Sequence, residues 1–396
     1  MAAVEQLGGD WPLNPYVIEQ PLSRACAPFC PLIAEHSNRC LGEPLLGVLG
    51  KEEYGGGGQL TFGGQETPGS EETVGIRVVE RSKEGGRCDA TSFPPHRRVG
   101  QTPVVPRAPG PNEAVVARQQ WGTLEPFHAM IYFAPEANEA YAAAGLKGGW
   151  MGYFASRAGA LGPVPAEVVT ATFYNFAPAM VARAIPDAWS FSRPEAVLAA
   201  RLAAADTALR RMLGDEVVAS PGMAEAADLA RRAAEACEVQ GRPLFAGHAS
   251  LPWPDPPHLQ LWHAATLLRE HRGDGHVAAL LAEGVGGLEA LLLMVGAGVM
   301  PRSVMQPARG WTDDEWETAE SGLRRRGLLD ETGSLTEAGQ ELRRSIEDRT
   351  DRSAARPYAQ LGVDGTTRLR ALVRPFSVRI TEQGFPIPNP VGAPAP

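Results

Sequence analysis

Apolar residues recur at helical spacing from residue 112 to about residue 350, and this pattern predicts a mainly α-helical protein. A first helix is expected after Asn112, a residue that can cap a helix N-terminus. Another is expected where Ser192 and Glu195 form a capping-box pattern. Its apolar positions alternate at spacings of four and three: Leu198, Leu202, Ala205, Leu209 and Met212. Shorter helices are predicted over five segments: 135–144, 150–157, 164–175, 178–184 and 223–237.

The second half of the chain predicts a helix-turn-helix followed by a small hairpin, or wing. Helices are expected over three segments: 256–271, 275–283 and 287–295. Thr312 and Glu315 make a capping box for a further helix that ends near Gly327. Two short strands, at 328–329 and 334–335, would then flank a turn, and a helix over 336–349 closes the unit. This order of elements is typical of a winged helix-turn-helix.

These patterns divide the chain into four predicted segments. They are a disordered or poorly packed extension over 1–112, a helical domain over 113–250, a winged-helix-like domain over 251–380 and a Pro-rich tail over 381–396. Glycine (44 residues) and proline (35 residues) are over-represented in the first 110 positions and the tail, and those positions show no sustained period. A translation start near Val115 or Val116 is an alternative explanation of the same composition.

Four of the five cysteines lie in the predicted extension, where Cys26, Cys30, Cys40 and Cys88 accompany His36. Their spacing lacks the tight pairs of a zinc site, so neither a metal nor a cofactor is predicted. An odd number of cysteines in a long chain also argues against a disulfide framework.

Charge and hydropathy narrow the classes of function. The formal net charge of −9 argues against nonspecific coating of nucleic acid, which needs a positive face. No run reaches about 18 consecutive apolar residues, and no signal-peptide pattern opens the chain. We therefore expect a cytoplasmic protein with no membrane partner; whether it forms a homo-oligomer is not predicted. The motifs of nucleotide-binding loops, hydrolase nucleophiles and zinc proteases are absent.

The most concentrated group of titratable residues surrounds Asp274. His271 and His276 would point well apart on an unbroken helix, but Gly273 and Gly275 are expected to end one helix and permit a tight turn. Asp274 would then cap the next helix. The two helix dipoles would favour a charged His271 and a neutral His276, as an acid–base pair requires. The three polar residues are candidate catalytic groups; the alternative is that they only cap, pack and hydrogen-bond.

Aromatic side chains with polar tips predict a pocket wall in the first helical domain. His128 and Tyr132 lie four residues apart on one helix face. Later in the same predicted domain, tyrosine and asparagine side chains place further polar groups among aromatic residues. The alternative is an aromatic core between helices. The candidate ligand-binding residues are His128, Tyr132, Tyr153, Tyr174, Asn175 and Arg272.

The helix before the wing is the one that would enter a DNA major groove. It opens with carboxylates at 313–315, which would face phosphate, and only its last turn is basic. Arg324, Arg325 and Arg326 are therefore the candidate DNA contacts, and DNA is a less favoured partner than a small molecule.

Several segments resemble the actinobacterial SalK and EvbL-like proteins. They are 124–128 (LEPFH), 152–154 (GYF), 173–178 (FYNFAP), 271–276 and the wing after Gly327. The resemblance extends over about 114–380, and the wing with its flanking helices also resembles the end of a MarR-type winged helix. Members of the SalK and EvbL-like group are often labelled helix-turn-helix and occur near antibiotic biosynthesis genes. The resemblance therefore implies the architecture and a link to secondary metabolism.

Two classes of function follow. The first is a small-molecule-binding winged-helix protein that acts as a ligand-responsive regulator, with or without DNA. The second is an enzyme that uses the turn between His271 and His276 for acid–base chemistry on a small substrate.

Overall fold

The computed structural model describes residues 111–387, 389–392 and 395–396 of the chain. Within these ranges the chain forms sixteen α-helices, α1 to α16 in order: Pro111–Ala129, Pro135–Ala143, Gly149–Ala158, Ala166–Phe173, Pro178–Ala182, Ala188–Phe191, Pro194–Leu213, Asp215–Val218, Pro221–Glu235, Pro243–Ala249, Pro257–Ala282, Gly287–Gly296, Arg302–Arg309, Asp313–Arg325, Glu337–Ser353 and Arg356–Glu382. The mainly α prediction is confirmed. The predictions for residues 1–110, including the disordered extension and the cysteine cluster, lie outside the described residues.

The larger hydrophobic core combines helices from both ends of the described chain. α1 packs along α16, α9 packs against both α11 and α16, and α2 packs against α7. Phe127, Leu209 and Leu261 are among the side chains fully buried in it. This core therefore draws on residues 117–268 and 354–385, on both sides of residue 250.

The smaller core holds the helix-turn-helix and the wing. It extends from Ala279 in the last turns of α11 to Ile346 in α15, and Trp316 of α14 is 1% exposed at its centre. Leu329 and Leu335 form an isolated antiparallel bridge. The predicted pair of wing strands is thus reduced to a single bridge, and the described residues contain no strand.

α13 and α14 form the helix-turn-helix, joined by the three residues 310–312. Gly310 takes a left-handed conformation with φ of +76°, which a glycine adopts without steric cost. The Thr312 side chain accepts a hydrogen bond from the Glu315 amide at 3.3 Å, and Glu315 accepts one from the Thr312 amide at 2.9 Å. The capping box predicted for this helix is confirmed.

The capping box predicted at Ser192 and Glu195 is wrong. α7 begins at Pro194 with Arg193 at the N-cap and no side-chain cap, while Ser192 is the extended residue that ends α6. Proline suits the first position of a helix because it has no N–H to leave unpaired. The helix therefore starts after the residue that was expected to cap it.

The predicted break between His271 and His276 is also wrong. α11 continues through both from Pro257 to Ala282. A Cβ at Gly275 would overlap the Ser353 hydroxyl and lie 2.7 Å from Arg242 Nη1. Gly275 thus allows neighbouring side chains to approach the helix closely, and this packing outweighs the low helix propensity of glycine.

No single helix among the described residues combines the length and the apolar character needed to cross a membrane. α11 and α12 meet those criteria only as a pair, and they are bent by 95° relative to each other.

Candidate functional site

A cavity of about 640 Å³ lies where the two cores meet. One side is lined by α1, α3, α11 and the segment 172–176, and the other by α12, Arg309 and α15. Residues 389–392 of the C-terminal segment also line it. Cavities that hold small molecules commonly measure about 300–1,000 Å³, so this one has the size of a ligand site.

Aromatic rings form one wall of the cavity. The ring centroid of Tyr153 lies 5.6 Å from that of Phe176 and 6.3 Å from that of Phe173. Trp150 and Phe154 pack against this wall, at 6.0 and 5.0 Å from Phe176. These are ordinary spacings for edge-to-face and tilted aromatic pairs, so the wall is a packed apolar surface.

Glu270 is the centre of a buried ion network beside that wall. Its two carboxylate oxygens each accept a hydrogen bond from Arg157 Nη2 at 3.0 Å, and one accepts from Arg269 Nη1 at 2.8 Å. Burial would raise the pKa of Glu270, but Arg157 and Arg269 outweigh it and hold that pKa well below its usual range. Arg157 also donates to the Tyr153 hydroxyl at 2.8 Å, which fixes the tip of that ring. Arg269 lies 3.5 Å from Glu125, whose pKa is raised by burial.

Arg272 belongs to a second ion network, which joins α1, α11 and α15. Its guanidinium lies 3.0 Å from Asp351 and 3.4 Å from Glu347, and Arg118 lies 2.6 and 3.2 Å from the same two carboxylates. The guanidinium of Arg272 also stacks over Trp121, 4.8 Å from the ring centroid. The positive charges of two arginines and the negative charges of two carboxylates thus balance one another at this end of the cavity.

Arg309, the last residue of α13, enters the cavity from the helix-turn-helix. It is 6% exposed, and its guanidinium lies 4.6 Å from the centroid of Phe176. It donates to the backbone carbonyls of Ala308 at 3.1 Å and Pro390 at 2.6 Å, while its Nε has no hydrogen-bond partner. Burial lowers the pKa of Arg309; Tyr153 opposes this shift and Arg157 adds to it.

The cavity collects most of the residues that the sequence suggested for ligand binding. Four of the six line it: Tyr153, Tyr174, Asn175 and Arg272. His128 is fully buried behind the aromatic wall, where it hydrogen-bonds Thr266 at 3.0 Å and the Tyr132 hydroxyl at 2.8 Å. Burial lowers the pKa of His128 well below its usual value. His128 and Tyr132 therefore support the wall, and neither is among the residues that line the cavity.

His271 and His276 of α11 do not form the predicted pair. His271 packs its ring edge-to-face on Phe245 at 5.3 Å and does not line the cavity. His276 does line it and hydrogen-bonds the Thr350 hydroxyl at 2.9 Å. Burial lowers both pKa values, that of His271 to about 3. Residues five apart on a continuous helix point about 140° apart, so the geometric basis for the acid–base pair is lost.

Asp274 is a helix cap, but for a helix other than the one predicted. Its carboxylate accepts a hydrogen bond from the Phe245 amide at 2.9 Å, in the first turn of α10. Burial raises the pKa of Asp274 to about 6, against the opposing effect of that amide. The side chain therefore joins α10 to α11 next to the cavity.

The surface of the helix-turn-helix is acidic where DNA would lie. Arg324 is held by Glu320 at 2.7 Å and by wing carbonyls, and Arg326 pairs with Glu289 at 2.9 Å. Arg325 is exposed. The exposed positions of α14 that precede it are mainly carboxylates: Asp313, Asp314, Glu315, Glu317, Thr318 and Ser321. The predicted basic contacts are thus partly used to hold the wing and α12.

The sequence reasoning missed the arginines that dominate the site. Arg157 follows Tyr153 by four residues on an aromatic helix, and Arg269 precedes Glu270 within an apolar stretch. Charged residues on a face that is otherwise apolar were the available signal, because such residues are rarely buried unless they are paired. Arg309 gave no such signal. Among the described residues no cluster of three or more histidine, cysteine, aspartate or glutamate side chains could hold a metal ion.

Comparison with known proteins identifies the family. The sequence model of the Helix-turn-helix family matches residues 117–386, which include both cores and most of the cavity lining. No curated protein and no solved structure matches the chain. Because the match covers more than half of the 396 residues, this chain belongs to the helix-turn-helix family.

Proposed function

We propose that the protein binds a small molecule in the cavity between its two cores and that the winged helix-turn-helix responds to it. The observation that carries this proposal is the cavity itself, about 640 Å³ in volume, with an aromatic wall and a few buried polar groups. That combination is the usual form of a small-molecule site. The resemblance to SalK and EvbL-like proteins supports a ligand from secondary metabolism.

The segment that leads from the cavity to the helix-turn-helix supports a response to ligand. The Tyr174 hydroxyl donates to the Val285 carbonyl at 2.5 Å, just before α12. The Trp311 indole, in the turn between α13 and α14, donates to the Asn175 carbonyl at 3.0 Å. A molecule that shifted Tyr174 or Asn175 would therefore act on the backbone before α12 and on the Trp311 side chain between α13 and α14.

DNA binding is the second candidate, because the chain belongs to the helix-turn-helix family. The carboxylates on α14 disfavour contact with phosphate, so we expect weak or absent sequence-specific binding. An electrophoretic shift assay against the DNA upstream of the protein's own gene tests this expectation. A nanomolar complex that depends on sequence and weakens with salt would show that DNA is a partner.

Gly273 offers a clean test of the cavity. It lines the cavity within α11, and a Cβ there would meet only Glu270, at 3.7 Å. A Gly273→Trp side chain would occupy part of the cavity, and its Cβ would meet no backbone atom of another element within 4 Å, whereas Gly273→Ala adds one methyl group and serves as the matched control. Native mass spectrometry should find a bound small molecule on the wild type and on Gly273→Ala, and none on Gly273→Trp.

Circular dichroism should show the same helical content in all three proteins. The proposal fails if no small molecule accompanies the wild type and no compound in a metabolite library raises its unfolding midpoint. It also fails if Gly273→Trp, although folded, binds as the wild type does.

A further inference from the structure

Arg309 differs from the four arginines that form the two ion networks at the cavity. Arg157 and Arg269 share Glu270, and Arg118 and Arg272 share their own pair of carboxylates. Arg309 has no carboxylate partner among the described residues, and both of its hydrogen bonds go to backbone carbonyls. Arg309 is therefore a buried positive charge that the described residues do not neutralise by an ion pair.

A buried charge without a counter-charge is unfavourable, since desolvation is not offset by an ion pair. The other guanidiniums nearby increase the cost, because Arg157 and Arg269 both act to lower the pKa of Arg309 in addition to burial. An anion beside Arg309 would remove this imbalance. Its free Nε would supply a hydrogen-bond donor for that anion.

The surroundings of Arg309 restrict the kind of anion. The guanidinium is stacked on Phe176, and the ring of Phe176 continues into the aromatic wall through Tyr153, 5.6 Å away. An anion at this position would have an apolar surface immediately beside it. A carboxylate attached to an aromatic or other apolar body matches both features, because guanidinium binds carboxylate through paired hydrogen bonds.

We propose that Arg309 is the anion anchor of the cavity and that the ligand is a small organic acid whose carboxylate binds Arg309 while its apolar body lies on the wall of Tyr153 and Phe176. This inference rests on the proposed function, since it names the chemical class of the ligand in the same cavity. It also assigns a route for the response. The carboxylate competes with the Pro390 carbonyl for the guanidinium, so binding loosens the C-terminal segment from the end of α13.

The test compares acids with their neutral amides on the full chain. The probes are three pairs of increasing size: benzoate and benzamide, indole-3-acetate and indole-3-acetamide, and naphthalene-2-acetate and naphthalene-2-acetamide. Isothermal titration should give tighter binding for the acid of the best-fitting pair than for its amide. In Arg309→Met the acid should lose about ten- to a hundredfold in affinity, the range expected for a charge-assisted hydrogen bond, and the amide should change little.

Stability provides the second measurement. Removal of an uncompensated buried charge should leave the unfolding midpoint of ligand-free Arg309→Met unchanged or raise it, which separates loss of binding from loss of fold. Equal affinity of acid and amide, or an acid affinity that Arg309→Met does not change, would overturn the anchor but leave the cavity function standing. If no member of any pair binds the wild type, and neither the Gly273 experiment nor the metabolite library finds a ligand, the proposed function itself fails, and the anchor with it.

Discussion

Replacement of Glu270 by glutamine should destabilise the protein more than any change to a surface ion pair. The substitution keeps the shape of the side chain but removes the charge that faces Arg157 and Arg269. Glu270 and Arg157 are only 1% and 6% exposed at their side chains, and Arg269 is 20% exposed, so solvent cannot replace the lost partner. Breaking a buried pair of this kind costs about 3–5 kcal/mol, because the remaining charges stay buried.

The loss of stability in Glu270→Gln can be measured as a fall in the unfolding midpoint. In a domain of this size each kcal/mol shifts the unfolding midpoint by about 2–4 °C, so Glu270→Gln should lower it by roughly 6–20 °C. The lower end is expected, since the glutamine oxygen can still accept one hydrogen bond from Arg157. Differential scanning calorimetry of the full chain is the assay. Glu225→Gln is the control, because Glu225 and Arg368 form a 2.6 Å ion pair in which both side chains are exposed. That control should change the midpoint little.

The dependence on pH gives a second check of the same argument. The pKa of Glu270 lies well below the 4.5 that is usual for a glutamate. A depressed acid stabilises the folded state fully above the unfolded pKa and loses that contribution as the pH falls. The gap in stability between wild type and Glu270→Gln should therefore be widest near neutral pH and narrow below about pH 4.5. A shift no larger than that of Glu225→Gln, or a gap that does not change with pH, would refute the role assigned to this network.

Two further changes test the surroundings of the site. Gly287→Ala would place a Cβ on the Tyr174 carbonyl, 2.9 Å from its carbon, and should lower the free energy of unfolding in urea by about 1–3 kcal/mol. Gly286→Ala is the control and should cost clearly less, because its Cβ would meet only a flexible Glu289 oxygen at 3.7 Å. Equal losses in the two variants would contradict the close approach at Gly287. At about pH 4, where Asp274 is protonated in the folded state, Asp274→Ala should cost about 1 kcal/mol through loss of the cap on α10, and Asp274→Asn should restore most of it. Because the pKa of Asp274 is raised to about 6, its contribution is present at low pH and is lost as the pH rises through that value. The stability of Asp274→Asn relative to the wild type should therefore increase between about pH 4 and 7. A stability difference that stays constant over this range would count against the raised pKa.

α13 was not predicted from the sequence, whereas α14 was the element predicted best. Its signals are local, since Thr312 and Glu315 cap α14 within one turn. Local signals of this kind depend on few distant contacts. α16 was not predicted, although its buried positions Thr366, Leu369, Val373, Ser377 and Ile380 recur every three or four residues, because glycines and Pro375 interrupt the pattern.

The site was predicted only in part, for a related reason. The aromatic residues with polar tips were recognisable within one stretch of sequence, and Tyr153, Tyr174 and Asn175 do line the cavity. The ion network could not be read in this way, since Arg157 meets Glu270 across 113 positions of the chain. The prediction of a turn at Asp274 was wrong because the two glycines beside it indicated a helix end. Their role is instead set by side chains of other helices and loops that pack on α11.

The continuity of α11 has a mechanical consequence. Most of this helix lies in the larger core, while Ala279 and Leu280 near its end belong to the smaller one, so the two cores share a single rod about 39 Å long. The two cores therefore cannot separate as freely as two domains joined by a flexible linker. Any widening of the space between them must flex the rod itself. Gly273 and Gly275 sit beside that space and have the lowest intrinsic helix propensity of the residues in the rod apart from Pro257 at its start, so it should bend there first.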